Sequence, residues 1–125
     1  MANHLASEPI PDSALLFRRI HRIFFDSVSG HVSSGAFDGL EMSVNWNKYA
    51  TAEETAAQDG SGSTVAVASI TAEFCRSLQQ TVIHDPLPAQ TGAPANRAHA
   101  LVRGQKSKSV KRRLRDAALL VWKHL

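Results

Sequence analysis

Residues 104–125 read GQKSKSVKRRLRDAALLVWKHL. How this stretch folds decides the architecture, because it is the longest run with a helical pattern. At about 100° per residue, Val110, Leu114, Ala117, Ala118, Val121 and Leu125 fall in one apolar stripe. Lys108, Arg112, Arg115, Asp116 and Lys123 fall opposite. The spacing predicts one amphipathic helix, from Ser107 or Ser109 to Lys123, docked on a core. Leu119 lands on its polar side and Trp122 at its edge. A second contact surface, with a second copy or a partner protein, accounts for both.

Lys106, Lys108, Lys111, Arg112 and Arg113 crowd the start of that helix. A helix N-terminus carries about half a positive charge, and each exposed cation there costs about 0.3–1 kcal/mol. An anion relieves the conflict, because dipole, free N–H groups and cations then act together on it. The expected anion site comprises Arg103, Gly104, Lys106, Lys108, Lys111, Arg112 and Arg113, with Ser107 and Ser109 as hydroxyl donors. GQKSKS lacks the spacing of a phosphate-binding P-loop. The expected partner is a nucleic acid, a nucleotide or an acidic protein surface, held through phosphate rather than by base sequence. No helix-turn-helix, zinc-finger or RNP pattern is present, and Trp122 is the one aromatic near the stripe.

The charge is polarised along the chain. Residues 96–125 hold nine Lys and Arg against Asp116, whereas residues 1–95 hold five bases and ten acids. The acidic body and the basic end either neutralise each other within the fold or leave the basic end to an outside partner. A chain of 125 residues is one domain in size. Its single cysteine, Cys75, excludes an internal disulfide and fits a reducing compartment. The N-terminus lacks a basic segment followed by an apolar run, so no secretory signal is read, and no stretch approaches a membrane span. A cytoplasmic protein is expected.

Upstream, residues 1–13 are polar with two prolines and read as a flexible arm ahead of a domain at 14–125. LLFRRIH predicts a strand with Leu15, Phe17 and Arg19 on one side and Leu16, Arg18 and Ile20 on the other. A short helix is the competing reading. LEMSVNW, residues 40–46, alternates as a half-buried strand, with Glu41, Ser43 and Asn45 on its polar side. Thr51 and Glu54 form a capping box for a short helix. TVAVASI reads as a strand, Thr71 as the cap of another helix, TVIHD and AHALVRG as two more strands, and PLPAQTGAPAN as loop. Strands and helices without a βαβ period predict an α+β fold: a small mixed sheet with the C-terminal helix packed on it.

Six histidines are present. His21, His84 and His99 lie at strand ends, where residues converge on a sheet edge. His21 and His99 are candidate acid/base residues, with Ser33 or Ser34 orienting a nucleotide or phosphorylated substrate. His84, Asp85 and His99 lack zinc spacing and Cys75 has no partner cysteine, so neither a metal nor a cofactor is expected. Cys75 reads as a small buried hydrophobe.

LFRRIH, SSGAF, MSV, HDPLP, NRAHALVRG and KSKSV, taken in order, resemble a run of motifs in short bacterial proteins of unassigned function. The resemblance spans most of residues 15–122. It implies a compact single domain in which Arg18, His21, Ser33, Ser34, Asp85, His99 and Gly104 recur together, and it carries no activity. The link from HDPLP to AHALVRG is longer here than the resemblance implies.

Overall fold

The strand LLFRRIH lies at the centre of the molecule. Residues 6–124 are described by a computed structural model; the first five residues, including His4, and Leu125 lie outside the described residues. The elements are β1 (Leu15–His21), β2 (Phe25–Asp26), β3 (His31–Val32), β4 (Glu41–Trp46), α1 (Ala52–Ala57), β5 (Thr64–Thr71), α2 (Ala72–Ser77), β6 (Thr81–His84), β7 (His99–Arg103), α3 (Lys108–Ala117) and β8 (Leu119–Lys123). Six strands form one open sheet in the order β6-β7-β4-β1-β5-β8, and β2 and β3 form a separate ribbon. The α+β class is therefore as expected. All five pairings in the large sheet are antiparallel, where a mixed sheet was expected.

β1 is zipped to β5 along its whole length, from Leu15 opposite Thr71 to His21 opposite Thr64. The period of two then sends Leu16 and Ile20 to one face and Phe17 and Arg19 to the other. On the first face, Leu16, Ile20, Met42, Val44, Ala66, Ala68 and Val102 pack against Cys75 of α2, Leu114 of α3 and Phe37. This is the main core, and burying a side chain such as Leu114 there contributes about 1.5–3 kcal/mol. On the second face, Phe17 and Val67 pack with Ala56 of α1, Leu15 and Trp122. Arg18, on the core face, donates from Nε to the Ala36 carbonyl at 3.0 Å and from Nη1 to the Ser43 carbonyl at 2.9 Å. Burial pushes its pKa down.

The local caps are as the sequence predicts. Thr51 and Glu54 close a capping box on α1, and Thr71 and Ser107 cap α2 and α3. Cys75 is fully buried, and desolvation pushes its thiol up to about 11.

Two expectations are corrected. The final helix stops at Ala117, with extended backbone at Ala118, and LLVWK becomes the edge strand β8. Leu119 and Trp122 thus lie on a strand, and the stripe through Val121 does not exist as a helical face. The physical reason is that the bulky residues from Leu119 to Trp122 complete both layers at once: Leu120 joins the main core and Trp122 the second cluster. One helix face cannot reach both, whereas a strand with a bulge at Val121 can, since the bulge sets Leu120 opposite Ala68 and Trp122 opposite Val67.

The second correction concerns the arm. Of its described part, residues 6–13, Ile10 is only 4% exposed and sits in the main core. Ser7 donates to the His84 carbonyl, and the Glu8 amide donates to His84 Nδ1 at 3.0 Å. The Glu8 carboxylate meets Lys48 at 2.6 Å and accepts from the Tyr49 hydroxyl. The Lys48 hydrogen bond, then that of Tyr49, lowers the Glu8 pKa. A carboxyl lowered on folding adds stability above its ordinary range and loses it as pH falls through the folded value. Glu8→Gln is therefore expected to lower the urea midpoint at pH 7. The gap to the unmodified chain should close below about pH 4; a gap that persists at low pH would remove the ionised carboxylate from the account.

Candidate functional site

The second face of the sheet is only partly covered by α1. Beside α1 a cleft of about 420 Å³ opens over β1, β4 and β7. Its far wall is the segment between β6 and β7. This proline-rich stretch folds back on itself, with Leu87 and Asn96 exchanging two backbone hydrogen bonds of 2.9 Å. Gly92 takes the positive φ of 81° that the reversal requires.

An amide network pins that wall. Asn45 Nδ2 donates to Thr55 Oγ1 at 3.0 Å and to Gln58 Oε1 at 2.8 Å, tying β4 to α1. Asn96 Nδ2 donates to Asn45 Oδ1 at 3.0 Å, and Asn96 Oδ1 accepts from the Ala98 amide at 3.1 Å. Asn45 is buried, so its bonds to Thr55, Gln58 and Asn96 satisfy a side chain largely withdrawn from water.

His99 begins β7 and faces this cleft. Its Nδ1 lies 2.9 Å from the Asp85 carbonyl oxygen and 3.2 Å from Asp85 Oδ2. Its Nε2 lies 3.1 Å from Ser43 Oγ. A carbonyl oxygen only accepts, so Nδ1 carries the hydrogen. In the neutral ring, Nε2 then presents its lone pair to the Ser43 hydroxyl. The sheet register builds this geometry. Asn45 stands opposite His99 and Ser43 opposite Leu101, so Ser43 and His99 are diagonal neighbours on one face. Asp85 follows β6, and its amide donates to the His99 carbonyl at 2.9 Å. Ser43 is exposed, while the His99 side chain is 14% exposed. The result is a hydroxyl on one ring nitrogen of His99, with the Asp85 carbonyl and carboxylate beside the other.

His99 is thus in the site, but its expected companions are elsewhere. His21 Nδ1 accepts from the Ile23 amide at 3.1 Å and caps the 3₁₀ turn Arg22–Phe24. Ser33 Oγ accepts from the Gly35 amide at 3.2 Å and caps the turn Ser34–Ala36, which contains Ser34. No hydrogen bond among the described residues joins these three to His99. The sequence marks Ser43 as the polar side of a strand, and Asp85 as a poor metal ligand and a position that recurs with His99 in the resembling proteins. The alternation in LEMSVNW was the available signal for Ser43.

The basic turn is answered in part from within the chain. Lys111 pairs with Asp38 at 3.1 Å and Arg103 with Glu41 at 2.7 Å. Lys106 Nζ donates to the Val102 and Gly104 carbonyls at 2.8 and 3.1 Å, and burial lowers its pKa. The Gly104 amide donates to the Leu40 carbonyl at 2.9 Å. Ser107 Oγ accepts from the Val110 amide. Lys108, Arg112 and Arg113 are exposed and have no ion-pair partner among the described residues. Trp122 packs inward, whereas Leu119 is 69% exposed on the β8 edge. The described residues include no group of His, Cys, Asp and Glu arranged to hold a metal ion, and no helix long and apolar enough to cross a membrane.

Compared with protein-family models, curated proteins and solved structures, the chain matches none. The fold and site above define an open antiparallel α+β domain with Ser43 and His99 in contact in a cleft on its second face and Asp85 on the other ring nitrogen of His99.

Removing the Asn96 side chain by Asn96→Ala leaves the buried Asn45 Oδ1 without a partner. The expected loss is about 1–3 kcal/mol in denaturant unfolding. Faster hydrogen exchange at Ala98 should accompany it; unchanged exchange there would mean that Asn96 does not hold the wall.

Proposed function

We propose that this protein is a small hydrolytic enzyme whose reaction is run by Ser43, His99 and Asp85. The observation that supports it is the pair of contacts on the two ring nitrogens of His99: Asp85 on Nδ1, Ser43 on Nε2. A base that abstracts a proton must lie within hydrogen-bond reach of it and be held in the right tautomer. His99 meets both conditions. In this reading Nε2 takes the Ser43 proton as Oγ attacks an ester, and Asp85 orients the ring and stabilises the imidazolium. Ser43 stands at the cleft surface, where a substrate can reach it.

The experiment is hydrolysis of a panel of chromogenic esters by the unmodified chain, Ser43→Ala and His99→Asn. Each substitution should lower kcat/KM by about 10²–10⁴-fold while the far-UV spectrum and melting temperature stay close to the original. Hydrolysis that survives both substitutions, or that is absent from the unmodified chain, would make the three residues a structural strap between β4, β6 and β7.

A second reading is favoured by Lys108, Arg112 and Arg113, the cations left unpaired on α3. They form a docking face for the phosphates of a nucleic acid. A labelled single-stranded oligonucleotide titrated at several salt concentrations tests this. Converting all three to Ala should weaken binding and reduce the log–log salt slope by about 2. An unchanged slope would leave α3 with a solvated basic face.

A further inference from the structure

Resting on the reading of Ser43 and His99 as acid/base machinery, we infer that the electrophile is phosphorus and that the substrate is a phosphodiester held by Arg19. The argument starts from the donors that line the cleft. Attack on a carboxylic ester needs donors aimed at the new oxyanion, commonly free N–H groups at a helix start. Ser43 sits within strand β4, not at a strand-to-helix turn. The nearest helix, α1, has its first turn closed by the Thr51–Glu54 capping box. The Asn45 NH₂ donates to Thr55 Oγ1 and Gln58 Oε1, and the Asn96 NH₂ to Asn45 Oδ1 and Gln58 Oε1.

What remains is a guanidinium. Arg19 lines the same cleft as Ser43 and His99. It is exposed, makes one long contact of 3.4 Å to Gln58 Oε1, and pairs with no carboxylate among the described residues. The neighbouring Arg18 guanidinium lies on the core face, where its Nε and Nη1 are taken by the Ala36 and Ser43 carbonyls. A planar guanidinium matches two phosphoryl oxygens in bidentate fashion. It serves a phosphoryl transition state as backbone amides serve an acyl one. The charge selects the ester type. One free cation balances the single charge of a diester, whereas the dianion of a monoester would be under-compensated. The cleft has room for two ester arms, with Phe17, Leu87 and Pro94 as apolar surface.

The step balances with water as the second reactant. Ser43 Oγ forms a bond to phosphorus, and the bond from phosphorus to one ester oxygen breaks. The Ser43 proton passes to His99 Nε2 and then to the departing alkoxide, which leaves as an alcohol. Water next attacks the seryl phosphodiester and gives a proton to His99. The bond from phosphorus to Oγ breaks, the proton returns to Oγ, and a phosphomonoester leaves.

The test uses bis(p-nitrophenyl) phosphate, p-nitrophenyl phosphate and p-nitrophenyl acetate with the unmodified chain, Ser43→Ala, Arg19→Gln and Arg19→Lys. The diester should be turned over faster than the monoester, and Ser43→Ala should abolish that turnover. Arg19→Gln should lower kcat/KM for the diester by about 10²–10³-fold, with Arg19→Lys recovering part of it and neither changing the melting temperature. Ser43-dependent cleavage of the acetate alone, indifferent to Arg19, would overturn the phosphodiester inference and leave the hydrolase reading standing. A preference for the monoester would overturn the inference in the same way. Absence of Ser43-dependent turnover on all three would overturn the hydrolase reading itself.

Discussion

The whole arrangement depends on β1 having a strand on each side. Because β4 and β5 both pair with it, its alternation divides the molecule into two layers. Leu16 and Ile20 close the main core with α2 and α3, while Phe17 and Arg19 face α1 and the cleft. A slip of one residue would exchange those sets, putting Arg19 in the core and Ile20 in the cleft. The seven pairs from Leu15 to His21 with β5 make that slip costly. Arg18 adds a pin across the sheet, joining the Ser34–Ala36 turn to β4 through two carbonyls.

The same register sets the site. β7 pairs with β4 so that Ser43 and His99 are diagonal neighbours, and β6 pairs with β7 so that Asp85 arrives beside His99. The three groups come from three separate segments, and only the ladder holds them together. The Asp85 carbonyl fixes the His99 ring with an interaction that has one polarity. The carboxylate then adds charge to a geometry already set. The arm contributes from the other side, because Ser7 and Glu8 bond to His84, the residue next to Asp85.

The concentration of positive charge at the end of the chain resolves in part by internal pairing. Asp38 and Glu41 lie far from Lys111 and Arg103 in sequence but close in the fold. The lowered pKa of the Asp38 carboxyl follows from the Gly39 amide first and from Lys111 second. Lys106 folds back onto backbone carbonyls, which accept its hydrogens without neutralising it. The cation crowding on α3 is thereby reduced to Lys108, Arg112 and Arg113.

By itself the sequence determined the elements whose signals are local. LLFRRIH, LEMSVNW and TVAVASI alternate, and Thr51, Thr71 and Ser107 are caps whose partners lie within three residues. His99 was marked by its place at a strand end. The tertiary structure alone decided three things. It ended α3 at Ala117, because Leu120 and Trp122 fill different layers: β8 pairs with β5 through a bulge at Val121, which sets Leu120 opposite Ala68 on the main-core face and Trp122 opposite Val67 on the other. The misfit was visible as Leu119 on the polar side of the helical wheel, yet no glycine or proline marked the break. It docked the arm, because Ile10 finds an apolar site built by distant strands. It joined Ser43, His99 and Asp85, which are separated by up to 56 residues. Such pairing depends on strand order, and strand order is set by which faces must be buried together, a property that no local pattern carries.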